Sequence, residues 1–375
     1  MRRATRIKLG LASVVLLVLA RIAGVDEAYA HEKWFANAEE YPLRFDLMFR
    51  PLPLAFLGAV LAATAVGAWL WRHRGGRDFV PGPKFFGATP ERLAALYSLV
   101  PFILGIHIAV PLLVNGVQGQ LFSPNISLRP GFSNFLGLAQ TFIALALFYG
   151  AFTRLAALAL VALYLVGLFV VDLQSLLDNI FMLGFAGFFF LAGRGPISVD
   201  RLALPRLEPP AHLMRHAVPV LRTGLGLSFV VVAFTEKFAN LPLAEAFLQE
   251  YPLNFTQALG IPLPNEVFIL MAGSVELLIG LWLTFGIFPR EIVLLALVPI
   301  NLTLTIFNWT ELIGHLPIYG AMSIILIYVF NKETEDIWVQ GLRGGPLSIE
   351  SNVSQRPPAQ QPAAGKRQIA TNERG

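Results

Sequence analysis

The feature that most constrains this 375-residue chain is the spacing of its charges. They gather in short gaps between runs of roughly 20 mostly apolar residues, the length a helix needs to cross a bilayer core. Nine such runs are legible, at 51–71, 93–115, 134–152, 154–172, 176–193, 216–235, 267–287, 291–308 and 311–330. Several meet at very short connections, such as Thr153-Arg154 and Pro289-Arg290, which predicts antiparallel neighbouring helices. Only 14% of residues are charged and 55% are hydrophobic, against about 25% charged in soluble domains. The expected fold class is therefore all-α, a polytopic integral membrane protein of about nine transmembrane helices. The absence of Cys excludes thiolate zinc sites, Cys-ligated iron–sulfur clusters and covalently attached c-type haem.

Residues 1–30 read as a signal peptide: a basic start with Arg2, Arg3, Arg6 and Lys8, a short apolar run, and the small-x-small site Ala28-Tyr29-Ala30. An uncleaved anchor is the alternative. If residue 31 begins outside, the inner segments hold Arg72, Arg74, Arg77, Lys84, Arg92, Arg154, Arg194, Arg201, Arg206, Arg215 and Arg290. The outer ones hold only Lys33, Arg44, Arg50, Arg129 and Lys237. This is the positive-inside pattern. It places the chain in a cell inner membrane with the mature N-terminus outside and the C-terminal tail in the cytoplasm. The net charge of +4 is thus a topology signal, not a nucleic-acid signal. The lipid bilayer is the partner it implies. Residues 31–92 hold an outer segment, the first span and a linker. Residues 194–215 read as a second inner linker and 331–375 as a disordered tail.

An internal match at an offset of 136 residues divides the remainder. Gly137, Gly150, Phe152, Arg154 and Gly184 fall on Gly273, Gly286, Phe288, Arg290 and Gly320. Residues 93–193 and 216–330 then form two parallel four-helix repeats. They differ where chemistry could sit: Gln140 stands opposite Glu276, and Asp178-Asn179 opposite Gly314-His315.

An ionisable group within a span is costly and points to function. Glu276 lies about nine residues, or roughly 13 Å, below the outer end of its run. It suits a proton relay or a carboxylate facing a quinone or cation; the structural alternative is a hydrogen bond or an ion pair, with Arg222 a poor match in depth. Glu236 and Lys237 close the preceding run. They are a snorkelling pair on one reading and site residues on the other, with an amphipathic loop, 238–265, lying on the membrane or covering the bundle. His107 and His315 fall at similar depths. They could share a haem or metal, but two imidazoles each bonded to its own polar neighbour is the preferred reading. The catalytic candidates are Glu276 and His315, with Glu236, Lys237, His107, Asn179 and Gln140 forming a polar pocket. If cleavage frees His31, its α-amine and imidazole form a chelate suited to Cu(II) as a metal site. The simpler reading of His31-Glu-Lys-Trp-Phe35 is an interfacial anchor.

Arg222-x-Gly-x-Gly226, the ending Phe234-Thr-Glu-Lys-Phe238, Glu276, Gly280 and Gly286-Ile-Phe-Pro-Arg290 together resemble the DoxX/DoxD-like family of small four-helix membrane proteins. The resemblance is clearest over 216–330, and 93–193 looks like a degenerate copy. It implies a redox-associated or quinone-interacting membrane subunit, with quinone the implied cofactor and electrons supplied by a redox partner subunit. A small-solute or ion transporter and a non-catalytic scaffold are the alternatives.

Overall fold

The computed structural model describes residues 40–306 and 309–344. The expected signal peptide, His31 and residues 345–375 lie outside them. The described chain is helical, without strands; its only extended pairing is an isolated bridge between Gln120 and Ser127. The main helices are α1 (Pro51–His73), α2 (Pro90–Val117), α3 (Pro130–Tyr149), α4 (Thr153–Val170), α5 (Leu173–Asp178) and α6 (Phe181–Ala192). They continue with α7 (Ala217–Val232), α8 (Leu241–Glu250), α9 (Asn265–Phe285), α10 (Pro289–Ile306), α11 (Trp309–Ile327) and α12 (Lys332–Gly344). Among the described residues six helices are long and apolar enough to cross a membrane: α1 to α4, the continuous Ala211–Phe238, and α9. Many apolar side chains face outward, among them Phe169 at 87% and Phe135 at 73% exposure. Water would make such a surface an aggregation hazard, whereas lipid solvates it. The architecture is that of a multi-pass membrane protein.

The run 176–193 is not one helix. It breaks after Asp178 into the one-and-a-half turns of α5 and the 12-residue α6, which spans about 18 Å at 1.5 Å per residue. Asn179 and Ile180 form the corner, and the Asn179 amide donates to Ser175 O at 3.0 Å.

The two antiparallel turns at one end of the bundle share an unusual backbone. Gly150 and Gly286 are left-handed at φ 66° and 70°, and two residues later Phe152 and Phe288 are left-handed as well, at 52° and 41°. A bulky residue at positive φ is a genuine outlier, and only one other non-glycine among the described residues shares it, Phe122. Each turn is closed by the same two kinds of group. Arg194 donates to the carbonyls of Leu147 and Phe148 at 2.7 and 2.9 Å. Arg222 donates to those of Leu283 and Thr284, the positions 136 residues on. Asp200 accepts from the amides of Phe152 and Thr153 at 2.6 and 2.8 Å. Pro289 takes the place of Thr153 and has no N–H, so Asp78 reaches only the amide of Arg290, at 3.5 Å. Arg222 thereby serves as a carbonyl clamp and is not the partner of Glu276.

Across the middle, α6 meets α7 and α11 meets α2. A Cβ on Gly184 would stand 3.0 Å from the Cα of Gly224, and one on Gly320 would stand 2.9 Å from His107 Cβ. Here the lack of a side chain permits the approach. The buried core runs through both contacts without interruption.

The expectation of a disordered tail fails for its first part. Residues 332–344 form α12, an amphipathic helix laid against α2 at the end of the bundle where the Lys/Arg-bearing linkers collect, here termed the basic end. Trp338 is fully buried, donates Nε1–H to Met214 O at 2.9 Å and packs edge-on to Tyr97, Phe188 and Tyr328. Arg215 pairs with Asp336 at 2.8 Å, and Lys84 with Glu333. The apolar face of α12 was legible as Ile337, Trp338 and Leu342, but three Glu/Asp in its first half masked it.

Two outcomes follow. Trp338→Ala in detergent should lower stability by about 3–5 kcal/mol, the cost of emptying a buried indole site, and expose 332–344 to protease. Lys332→Ala should change melting by no more than about 0.5 kcal/mol. The second concerns Asp78. Burial, and then a hydrogen bond with and the charge of Glu291, push its carboxyl up to about 7, with Arg290 opposing. The folded chain thus keeps a proton that the unfolded chain releases near its ordinary pKa of about 3.9. This contribution is full at the acidic side and is lost as pH rises from about 4 to 7. Asp78→Asn should flatten the fall in melting temperature across that window; an unchanged slope would refute the assignment.

Candidate functional site

The charged residues that the sequence singled out in the second half converge at the end of the bundle opposite the basic one. Helix α7 does not stop in a regular turn but widens into a π turn, Ala233–Phe238. Such turns are rare and frequent at functional sites. This one swings Glu236 and Lys237 into the protein, where they are 2% and 6% exposed. Lys237 Nζ lies 3.4 Å from Glu276 Oε2 on α9 and 3.7 Å from Glu236 Oε2. The snorkelling reading of Glu236 and Lys237 is therefore wrong: neither head group reaches water. The sequence missed this because a pair at the end of an apolar run looks the same in both cases until the next segment folds over it.

The covering segment is the expected amphipathic loop, now in part a helix. Helix α8 buries Leu243, Ala244, Phe247 and Leu248 against the π turn and α9. A stretch before α1 closes the rest. Arg44 N–H donates to Ala239 O at 2.7 Å, the Asn240 amide donates to Tyr41 O at 3.0 Å, and Leu47 is buried in the same cluster as Ala233 and Phe238. Gly273 lies one turn before Glu276, and a Cβ there would stand 2.9 Å from Lys237 Cβ. Glycine is thus what lets the lysine stem lie across α9. Thr235, on the same π turn, donates to Asp178 Oδ1 at 2.8 Å, and Ser228 donates to Asp178 O. This ties the site to the α5–α6 corner of the first half. Asp178 and Thr235 were missed as site neighbours, since nothing local in sequence brings them together.

The arrangement is one ammonium between two carboxylates, in a region where each ion is tolerable only because a counter-ion stands beside it. Glu276 is the accessible member, with 27% of its side chain exposed. The cluster can donate hydrogen bonds from Lys237 and accept them, or a proton, at Glu276.

The remaining candidates lie elsewhere. Gln140 is no pocket residue: fully buried, it accepts from Phe122 N–H at 2.9 Å and donates to Leu112 O and Gln120 O at 2.9 and 3.2 Å. It holds a loop, 118–128, that plugs the first half, with Leu121, Phe122 and Ile126 buried. Asn179 donates to Ser123 Oγ of that loop at 3.0 Å. His107 Nδ1 lies 2.8 Å from Ile103 O, in its own helix. His315 sits 3.1 Å from Glu311, both buried. The two imidazoles have separate neighbours, and His107 packs on Gly320. His31 lies outside the described residues. A surface groove of about 450 Å³ lies at the basic end, lined by none of these residues.

No family model, no curated protein and no solved structure matches this chain.

Lys237→Met should destabilise the folded protein by about 3 kcal/mol or more, because two carboxylates lose their counter-ion at once. Lys237→Met combined with Glu276→Gln should recover part of that loss. Melting of both single variants and the double in one detergent checks it; a double loss equal to the sum of the two single losses would show that the pair does not interact.

Proposed function

We propose that this chain is a DoxX-like, redox-associated subunit of a bacterial inner membrane that interacts with quinone through Lys237 and Glu276. The observation that carries the reading is the buried Glu236–Lys237–Glu276 cluster on a π turn. A quinone has carbonyls that accept hydrogen bonds, and its quinol has hydroxyls that give up protons. An ammonium donor beside a partly exposed carboxylate fits both. The bound quinone would supply the two-electron chemistry, and a partner subunit the electrons. This chain's residues orient the ring, hold the proton at Glu276 and keep bulk water out under α8.

The wider membrane reading belongs to the same proposal: nine spans, Lys/Arg-bearing linkers in the cytoplasm, the N-terminus outside, and two parallel four-helix repeats. The repeats are supported by the matched left-handed turns, by guanidinium groups on equivalent carbonyls, and by Gly184 and Gly320 packing each half on the other. Helices α4 and α10 begin and end 136 residues apart. Ion-coupled transport of a small solute is the second reading, favoured by the same acid in a duplicated bundle.

In nanodiscs, a short-chain quinone should bind the full chain and quench its tryptophans. Glu276→Gln should weaken binding about tenfold, the worth of one charge-assisted hydrogen bond. Absence of binding to the parent protein, or unchanged binding in the variant, refutes the quinone site. Proteoliposome flux that depends on Glu276 without quinone binding would establish transport instead.

A further inference from the structure

At the basic end, well away from the Lys237 cluster, the linker between α1 and α2 folds back as a short helical turn, Pro83–Phe86, and leaves a groove of about 450 Å³ beside it. Its walls are Pro81, Pro83, Phe86, Leu326 and Ile327, and Arg92 stands at its edge. The lining joins the end of α11, at Leu326 and Ile327, to the linker before α2 and to Arg92 in the first turn of α2. Phe85 and Phe86 project at 77% and 76% exposure, and Phe79 at 60%. In water, three such phenyl rings on one short linker would be a liability. Where hydrocarbon meets headgroups they are at home.

Charge decides what fills the groove. Lys84 is taken by Glu333, and Arg74 lies over the Phe79 ring while donating to the carbonyls of Arg77 and Asp78. Arg92 is exposed and faces the groove. An occupant with an apolar body and an anionic head satisfies both parts, and the basic residues of this end add long-range attraction. We propose that this groove binds an anionic phospholipid, its phosphate on Arg92 and its upper acyl chain along Phe86, Leu326 and Ile327. This rests on the chain lying in a bilayer but not on any redox role. The bound lipid would bridge the end of α11 to the start of α2, and so the two halves.

The test uses the full chain purified in a mild zwitterionic detergent. Native mass spectrometry is run after mixing with phosphatidylglycerol or phosphatidylcholine, alone or with excess inorganic phosphate. Retention of phosphatidylglycerol several-fold above phosphatidylcholine is expected. It should drop about fivefold in Arg92→Gln, the worth of one basic residue near an anionic surface, and fall also in Phe86→Ser. Arg72→Gln, outside the groove lining, should retain lipid as the parent does. Equal retention of both lipids, displacement by inorganic phosphate, or undiminished retention in both groove variants would each overturn the assignment. A second copy occupying the groove would appear as a lipid-independent dimer lost in Phe86→Ser, and would overturn it too. Because Arg92 lies on the surface, melting of each variant separates lost binding from lost fold.

Discussion

An apolar solvent leaves a helix end nowhere to send its free carbonyls and amides, and this bundle is organised around the answer to that problem at its two tight turns. At each, the chain reverses within a few residues through a left-handed glycine and a left-handed phenylalanine. The strain of a phenylalanine at positive φ is tolerable only if the surroundings hold it. A guanidinium supplied from a distant segment clamps the outgoing carbonyls, and a carboxylate from another faces the incoming amides. The clamps come from linkers and from the opening of α7, so those segments cannot be loose. Linkers 72–89 and 194–215 are fastened parts of the fold, and α12 adds a further fastening across Met214 and Tyr97.

The apolar segments were legible because their cause is local: a run of uncharged residues of the right length needs no tertiary knowledge. The glycine-centred turns were legible because segments 136 residues apart carry the same Gly, Phe and Arg letters. What escaped was set by distant contacts. Trp338 marks α12 as ordered only once Met214 and Tyr328 stand beside it. The break after Asp178 has no proline or glycine to announce it; Tyr164 accepts the corner by donating to Leu176 O at 2.9 Å. Lys237 and Glu276 were found singly, as costly residues in or near apolar runs, and their meeting depends on a π turn and a glycine that no periodicity reveals.

The basic end shows how one substitution propagates through such a turn. Asp200 holds two amides because both positions offer an N–H. In the second turn proline removes one, so Asp78 is left close to Glu291, whose Oε1 already accepts from Val80 N–H at 2.6 Å. Burial and the neighbouring acid then favour a shared proton over a second charge. A carboxylate that caps the helix at one turn is, at the other, a group that holds its proton well above the ordinary carboxylate range.

The two halves also differ at the candidate site. On the proposed duplication, Gln140 and Glu276 occupy one helical position. Around Gln140 the chain inserts the loop 118–128, and three backbone groups exhaust the amide. A neutral side chain saturated by its own backbone can hold a fold but cannot exchange a proton. Around Glu276 no such loop enters among the described residues; α7 instead widens and presents Lys237, and α8 covers the result. A partly exposed carboxylate with an ammonium beside it is an arrangement that acid–base work in a membrane could use. Keeping them costs the second half the saturation that the first half enjoys. On the proposed reading, that cost is what proton exchange at Glu276 beside Lys237 requires.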